Sequence, residues 1–336
     1  MDLDIGNRRY TGSKRALLED IYSSLSLKKK GDLIFADLFA GTGIVSDFML
    51  KKGLSVIIND ILDSNYIAYQ AWFGKGSFDV KKIKDLMEKF NLLDSKILKE
   101  NYFSKTYGSK YFSINDAKKI GYIRDEIEKT ELTSREKSIL ISSLMYTTDK
   151  IANTVGHFEH FLSKPPKEKG VILKMPRIEK HKNKATLFKL DANELVKKIS
   201  CDIAYVDPPY NARQYINFYH VLENLVTWNK PTEFEGTSMK FKRNHLKSDY
   251  SKSKAPVVFA DLINNIKAKL IIVSYNNTYS AKSNASNNKI TESQLLDILS
   301  KRGRVTIKEI QHKSFNSGKT NFENHKELLY ICKVKS

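Results

Sequence analysis

The sequence predicts an α/β protein with an open sheet and a mainly helical insert, and three stretches carry that prediction. An apolar run, Leu33 to Phe39, leads directly into Ala40-Gly41-Thr42-Gly43. A second run, Leu54 to Asn59, ends at Asp60. A third, Ile203 to Val206, is stopped by Asp207-Pro208-Pro209-Tyr210, whose prolines have no N–H for a sheet ladder. Short apolar runs closed by turn residues read as buried strands. Their carboxyl ends are where open α/β sheets place chemistry. Between about residues 74 and 184 the alternation of strand and helix stops. The expected division is therefore 1–73 with 185–336 as one domain and 74–184 as an inserted one.

The chain of 336 residues has ample material for a core, and 41% hydrophobic residues with 17 Tyr and 17 Phe argue for a folded protein. It has no apolar run as long as a membrane span and no signal-peptide core in residues 1–30, so a cytoplasmic protein without membrane partners is expected. Cys201 and Cys332 both fall in predicted strands and read as buried thiols, with no metal site. The 57 Lys and Arg against 38 Asp and Glu give a net charge of +19. Such an excess favours a polyanionic partner, most simply nucleic acid.

In chain order, Tyr10-Thr11-Gly12-Ser13-Lys14 precedes a helical pattern with Leu17, Leu18, Ile21, Tyr22 and Leu25 on one face. Gly41 and Gly43, at alternate positions after the first strand, let the backbone turn and approach a ligand closely. The third glycine of a dinucleotide fingerprint is replaced by Ser46, which counts against NAD or FAD. Asp60, 17 residues after Gly43, is spaced to hydrogen-bond ribose hydroxyls. In the insert, Val80 to Phe90 and Ile139 to Ile151 show helical periodicity, the second behind Thr133-Ser134-Arg135-Glu136 as a cap. Tyr102, Phe103, Tyr107, Tyr111 and Phe112 interleave with Lys105 and Lys110, a mixture that suits either base stacking or the insert's own core. Stretch 164–189 carries nine Lys and Arg, among them Lys180, Lys182 and Lys184, against two Glu. It reads as a solvated loop that could contact phosphates. Strand Ala185 to Leu190 ends at Asp191, which either reaches a bound adenine or caps the next helix. After strand Ile203 to Val206 come a helix, Tyr215 to Trp228, and a polar loop with Lys240, Lys242, Arg243 and Lys247. Helix Val257 to Ile266, strand Lys269 to Ser274 and a Ser/Asn-rich linker follow. Arg304 to Gln311 and Glu327 to Val334 close the chain as two alternating strands, expected to be antiparallel.

The residues of the third stretch suit one difficult reaction. A base amino group is a poor nucleophile because its lone pair is delocalised into the ring. Asp207 and the Pro208 carbonyl could accept its two N–H bonds and aim the lone pair at an electrophilic methyl. Tyr210 offers a face for an extruded base to stack on.

From Tyr10 to Cys332 the chain resembles the Dam-like DNA adenine methyltransferases that place cofactor region, target-recognition insert and catalytic loop in that order. The resemblance lies in Tyr10-Thr11-Gly12-Ser13-Lys14, Phe39-Ala40-Gly41-Thr42-Gly43, Asp60 and Asp207-Pro208-Pro209-Tyr210. Asn211-Ala212-Arg213-Gln214-Tyr215 and Asn153-Thr154-Val155-Gly156-His157 look like signatures of a subgroup. The resemblance implies a Rossmann-like methyltransferase sheet of seven strands, S-adenosylmethionine as methyl donor, and no metal. It implies cofactor contacts from Tyr10, Lys14, Phe39, Gly41, Gly43, Asp60, Asp191 and Asp207. Asp207, Pro208 and Tyr210 would hold a flipped adenine. Double-stranded DNA is the implied partner, met by Lys180, Lys182, Lys184, Asn153, His157, Arg213, Lys242 and Arg243, and a restriction endonuclease acting separately could accompany the protein. Tyr10 departs from the Trp that relatives often carry there. An RNA-base methyltransferase would share the catalytic loop, although the early Gly-Ser-Lys and the long insert favour DNA. A non-catalytic DNA-binding relative would not need the intact loop.

Overall fold

The structure is a computed structural model, and it describes residues 2–25, 33–278, 287–311 and 326–335. Residues 279–286 of the Ser/Asn-rich linker lie outside the described residues. The chain divides into two compact units. One comprises Ser13–Ile61, His181–Tyr215 and Leu246–Ser336, and the other Met1–Gly12, Leu62–Lys180 and Ile216–His245.

The first unit holds the sheet. Its strands are β1 (Ile34–Asp37), β2 (Ser55–Asn59), β3 (Ala185–Phe188), β4 (Ile203–Val206), β5 (Leu270–Asn276), β6 (Gly303–Gln311) and β7 (Lys326–Val334). The order across the sheet is β3-β2-β1-β4-β5-β7-β6. The first five are mutually parallel, while β7 runs antiparallel to β5 and to β6. The seven-stranded mixed α/β sheet and its antiparallel close are those the sequence pattern leads one to expect. Every residue of β4 and of β5 is buried. Such strands read as unbroken apolar runs because helices cover both faces.

On one face Ala36, Ile57, Ala204, Val206, Ile271 and Val273 pack with Leu195, Phe259, Leu262, Leu295 and Leu299. These come from helices Ala192–Val196, Ala255–Asn265 and Glu292–Ser300. Helix Ile44–Lys51 packs against β1 and β2 without joining that cluster, and so covers the other face. Cys332 is buried on β7, but Cys201 sits two residues ahead of β4 and is only half-buried. The strand proper starts at Ile203, after Asp202 has turned its carboxylate back onto the N–H of Ile34.

The second unit is mainly helical and is wider than the stretch 74–184. Helix Asp63–Phe73 belongs to it, packed on helix Ser134–Ile151 with the Trp72 and Tyr146 rings 5.2 Å apart. So does helix Tyr215–Thr227, apart from its first residue. Sequence order assigns both helices to the α/β alternation, whereas polar side chains on the second draw them into this unit. Glu223 accepts the N–H groups of Asp63 and Ser64 at 2.6 and 2.9 Å, capping helix Asp63–Phe73. Asn224 donates to the hydroxyls of Tyr102 and Tyr107, each at 2.7 Å. Buried Arg124 donates to the carbonyls of Leu225 and Val226, satisfying orphan acceptors at that helix's end. Phe103, Tyr107, Tyr111 and Phe112 are fully buried and form core rather than a stacking platform. Thr133 and Glu136 make the expected capping box, and Glu136 also accepts from Asp79 N.

Among the described residues no helix is long and apolar enough to cross a membrane. Truncating Glu223 would take the acceptor from the buried Ser64 N–H and the partly buried Asp63 N–H. Glu223→Ala is expected to destabilise the helical unit by about 1–3 kcal/mol per donor, seen as a lowered denaturant midpoint. An unchanged midpoint would mean that these donors find other partners.

Candidate active site

In the sheet unit the strand order reverses between β1 and β4, and crevices at such points, outside the carboxyl ends, are where ligands bind. Two loops flank this point. The first leaves β1 at Asp37 and runs through Phe39, Gly41 and Gly43 into helix Ile44–Lys51. Gly41 and Gly43 take φ values of 53° and 82°, a left-handed region that side-chain-bearing residues resist. Gly43 N donates to Ala40 O at 2.7 Å, closing the turn. Asp60, just past β2, accepts Gly41 N at 3.0 Å. The glycine loop and the spaced acid thus form one assembly. Phe39 lies edge-on to Tyr250, ring centroids 5.2 Å apart.

Two residues beneath this loop escaped the sequence reading. Asn59 donates to the carbonyls of Leu38 and Leu190 and accepts Leu190 N, tying together the ends of three neighbouring strands. Asp37 is 1% exposed, accepts the Ser46 hydroxyl at 2.8 Å and leaves its Oδ1 without a partner. Burial pushes the Asp37 carboxyl up to about 7, against the Ser46 hydrogen bond, with Asp207 and Asp60 adding to the rise. Ser46, the residue that breaks the dinucleotide fingerprint, is therefore the partner of a buried acid. Its position in the pattern could have signalled this, since a hydroxyl replaces hydrogen where helix and strand pack closely.

The second loop, Asp207-Pro208-Pro209-Tyr210, leaves the fully buried β4. Asp207 receives the Lys14 ammonium at 3.0 Å, and Lys14 also lies 3.9 Å from Glu327 on β7. The Lys14 side chain is 5% exposed and that of Asp207 15%. Burial raises the Asp207 carboxyl to about 6; Lys14 opposes the rise and Glu327 adds to it. Burial disfavours the Lys14 ammonium, but Asp207 and then Glu327 outweigh it and hold Lys14 protonated, well above its ordinary range. Tyr210 is half-buried, its carbonyl held by Lys289 N at 2.8 Å and its ring edge-on to Tyr275.

Lys14, Gly41, Gly43, Asp60, Asp207, Pro208 and Tyr210 all belong to the sheet unit, and Tyr10 to the helical unit. There the Tyr10 ring stacks on Tyr219 at 4.8 Å, and the Arg8 guanidinium lies 5.5 Å from each of the two rings. Asp191 caps helix Ala192–Val196 by accepting Asn193 N at 2.9 Å, the second of its two sequence readings.

The residues read as nucleic-acid contacts divide sharply. Lys180, Lys182, Lys184, Arg213 and Lys242 are exposed. Arg243 is 6% exposed and donates to Asn217, Glu235 and the Phe241 carbonyl, so its guanidinium is spent inside the fold. The Asn153 amide donates to the carbonyls of Lys110, Leu162 and Lys164, and shapes its own loop. His157 stacks on Phe218 at 4.4 Å.

Residues 10–285 match the sequence pattern of the D12 class N6 adenine-specific DNA methyltransferases. The chain is 36% identical over 348 residues to the modification methylase StsI of Streptococcus sanguinis, covering 96% of this chain and 51% of that protein. It is 30% identical over 340 residues to the type II methyltransferase M.NlaIII of Neisseria lactamica, covering 96% of this chain and 98% of the relative. A third relative, the type II methyltransferase M.CviAII of Paramecium bursaria Chlorella virus 1, is 30% identical over 322 residues and 92% covered, as is this chain. The chain thus spans about half the length of the first relative and nearly all of the other two.

Proposed function

The chain belongs to the D12 class of N6 adenine-specific DNA methyltransferases, and from that premise we propose that it methylates the exocyclic amino group of an adenine flipped out of duplex DNA. S-adenosylmethionine is the methyl donor in this reading, and a modification role beside a separate restriction endonuclease is its biological setting. The observation that carries the reading is Asp207, an acceptor at the end of β4 kept close to an obligate cation.

The residues present fit a cationic nucleoside cofactor. The side-chain-free turn at Gly41 and Gly43 allows close approach, Asp60 stands at the end of β2, and Asp37 keeps one buried oxygen unpaired. Tyr10, Lys14, Phe39, Gly41, Gly43, Asp60 and Asp207 would hold the cofactor, with Asp191 at its adenine end. When bound, S-adenosylmethionine supplies an electrophilic methyl on sulfur. Asp207 accepts one N–H of the adenine amino group and the Pro208 carbonyl accepts the other, which localises the lone pair on nitrogen. Tyr210 stacks on the extruded ring. The ionised carboxylate is essential, since a protonated Asp207 would offer a hydrogen where an acceptor is needed.

The loop that holds one flipped base sees nothing of its neighbours, so other parts of the chain must read sequence in the groove. The insert at 74–184, aided by the basic loop 231–255, takes that task in this reading. Exposed Lys180, Lys182, Lys184, Arg213 and Lys242 supply phosphate contacts, while Asn153 and Arg243 act by shaping loops. His157 and its loop are the candidates for base discrimination.

Methyl transfer to unmethylated bacteriophage DNA, followed with labelled cofactor, should show an acid limb near the Asp207 pKa of about 6. Activity is present above that pH and falls about tenfold per unit below it. Asp207→Asn should cost about a hundred- to ten-thousandfold in rate; turnover close to wild type, or a profile flat down to about pH 5, would remove Asp207 from this role.

Asp60→Ala should weaken S-adenosylmethionine binding by roughly ten- to a hundredfold, the worth of a lost charge-assisted hydrogen bond. Calorimetry that finds the affinity unchanged would move the ribose site elsewhere. Replacing Lys180, Lys182 and Lys184 by Gln should weaken binding to all duplexes alike. The log–log salt slope should flatten by about 0.9 for each phosphate that is no longer neutralised. Weakening confined to one DNA sequence would contradict a phosphate role.

A further inference from the structure

Among the described residues, the Lys14 ammonium reaches the carboxylates of Asp207 and Glu327, and the reaction as proposed uses only the first. Glu327 lies opposite Asn276 of β5 in the antiparallel register, with Oε1 3.9 Å from Lys14 Nζ. It is 9% exposed, and its Oε2 is buried without a hydrogen-bond partner. A buried carboxylate with a vacant acceptor is costly and calls for a reason. Balancing the Lys14 charge is not sufficient, because Asp207 already does so at 3.0 Å.

The reason lies in what Asp207 must do. An ammonium fixed on a carboxylate competes with any amino group that comes to donate to it. Lys14 would have to yield as the adenine arrives, yet a buried ammonium that leaves its only counter-charge is heavily penalised. Glu327 offers it a second one. We propose that Glu327 is a positioning residue for methyl transfer, taking up Lys14 as the amino group enters so that Asp207 is released to accept its N–H while the buried charge stays paired. The proposal rests on the reading of Asp207 as the amino-group acceptor.

Among the described residues, groups that act on this cluster are Tyr205 on β4, Tyr210 on the catalytic loop and Asp37 at the end of β1, with Asp60 beyond Asp37. None of them carries a positive charge that could replace Lys14. The neighbouring Lys326 is occupied by Glu309 at 2.6 Å. Glu327 also raises the Asp207 pKa by its charge, which gives the proposal a readout that a purely structural residue would lack.

The test compares wild type, Glu327→Gln and Glu327→Asp, with Glu309→Gln as the control on the adjacent strand. Labelled-methyl incorporation into unmethylated bacteriophage DNA is measured across pH, together with S-adenosylmethionine affinity by calorimetry. Glu327→Gln should lower kcat by roughly ten- to a hundredfold, the worth of one charged hydrogen bond. Its acid limb should move down by about one pH unit, because a negative charge near Asp207 has gone. Cofactor affinity should stay near that of wild type. Glu327→Asp keeps the charge but shortens the reach, so the limb should stay in place while kcat falls; this variant decides the matter if the Gln variant does not fold. A Gln variant whose limb does not move, or an Asp variant with wild-type kcat, overturns the proposal. Absence of methylated adenine from the wild-type reaction would instead overturn the parent reading.

Discussion

The ion pair between Lys14 and Asp207 joins the start of the sheet unit to the end of its central strand, and it resolves a conflict built into the site. In the proposed reaction Asp207 must be charged to accept an N–H, yet it stands at the mouth of a strand buried on both faces, where charge is disfavoured. Burial alone would drive the carboxyl toward its neutral form. The Lys14 ammonium opposes this, and in doing so it occupies one acceptor position on the carboxylate. The cation must itself be buried, and a lone buried ammonium is no cheaper than a lone carboxylate. The two therefore stand or fall together, and the segment around Ser13 and Lys14 has to lie beside the end of β4.

That dependence explains what could be read from the sequence and what could not. The glycine loop, Asp60 and the Asp-Pro-Pro-Tyr turn are local patterns, in which neighbouring residues carry the meaning. All three came together at one end of the sheet as their spacing implied. Lys14 was read from its place before a helix and, by resemblance, as a cofactor contact; its ion pair with Asp207 spans almost 200 positions of sequence. Glu327 was read only as the start of a strand, and Asp37 only as part of an apolar run. A carboxylate inside a hydrophobic stretch is a usable sign, because burying it without a task is costly, and at Asp37 that sign was there to be read.

The same limit applies to the helical unit. Helical periodicity and the Thr133 capping box were plain, but the membership of the unit was not. Glu223, Asn224 and Arg124 connect helices that no periodic pattern links, and each forms its bonds across a large gap in sequence. Arg243 shows the converse failure. A basic residue in a basic loop reads as a phosphate contact, but its guanidinium donates to three partners within the fold, and burial, not charge, decided its role.

Charge is distributed against the composition of the chain, and this bears on what each surface can receive. The protein carries +19 overall, yet at the sheet's carboxyl end Asp207 and Glu327 flank Lys14, and Asp37 and Asp60 add acidic charge beside Asp207. Exposed lysines lie elsewhere in the sequence, at 180, 182, 184 and 242. A polyanion is drawn to the lysines and repelled by the carboxylates, whereas a sulfonium cofactor, itself cationic, is favoured by the acidic cluster. The same acidic charge discourages a DNA backbone from settling where the proposed cofactor site lies. A base carries no charge and can enter without that penalty, and it is the part of the DNA that the proposed reaction requires.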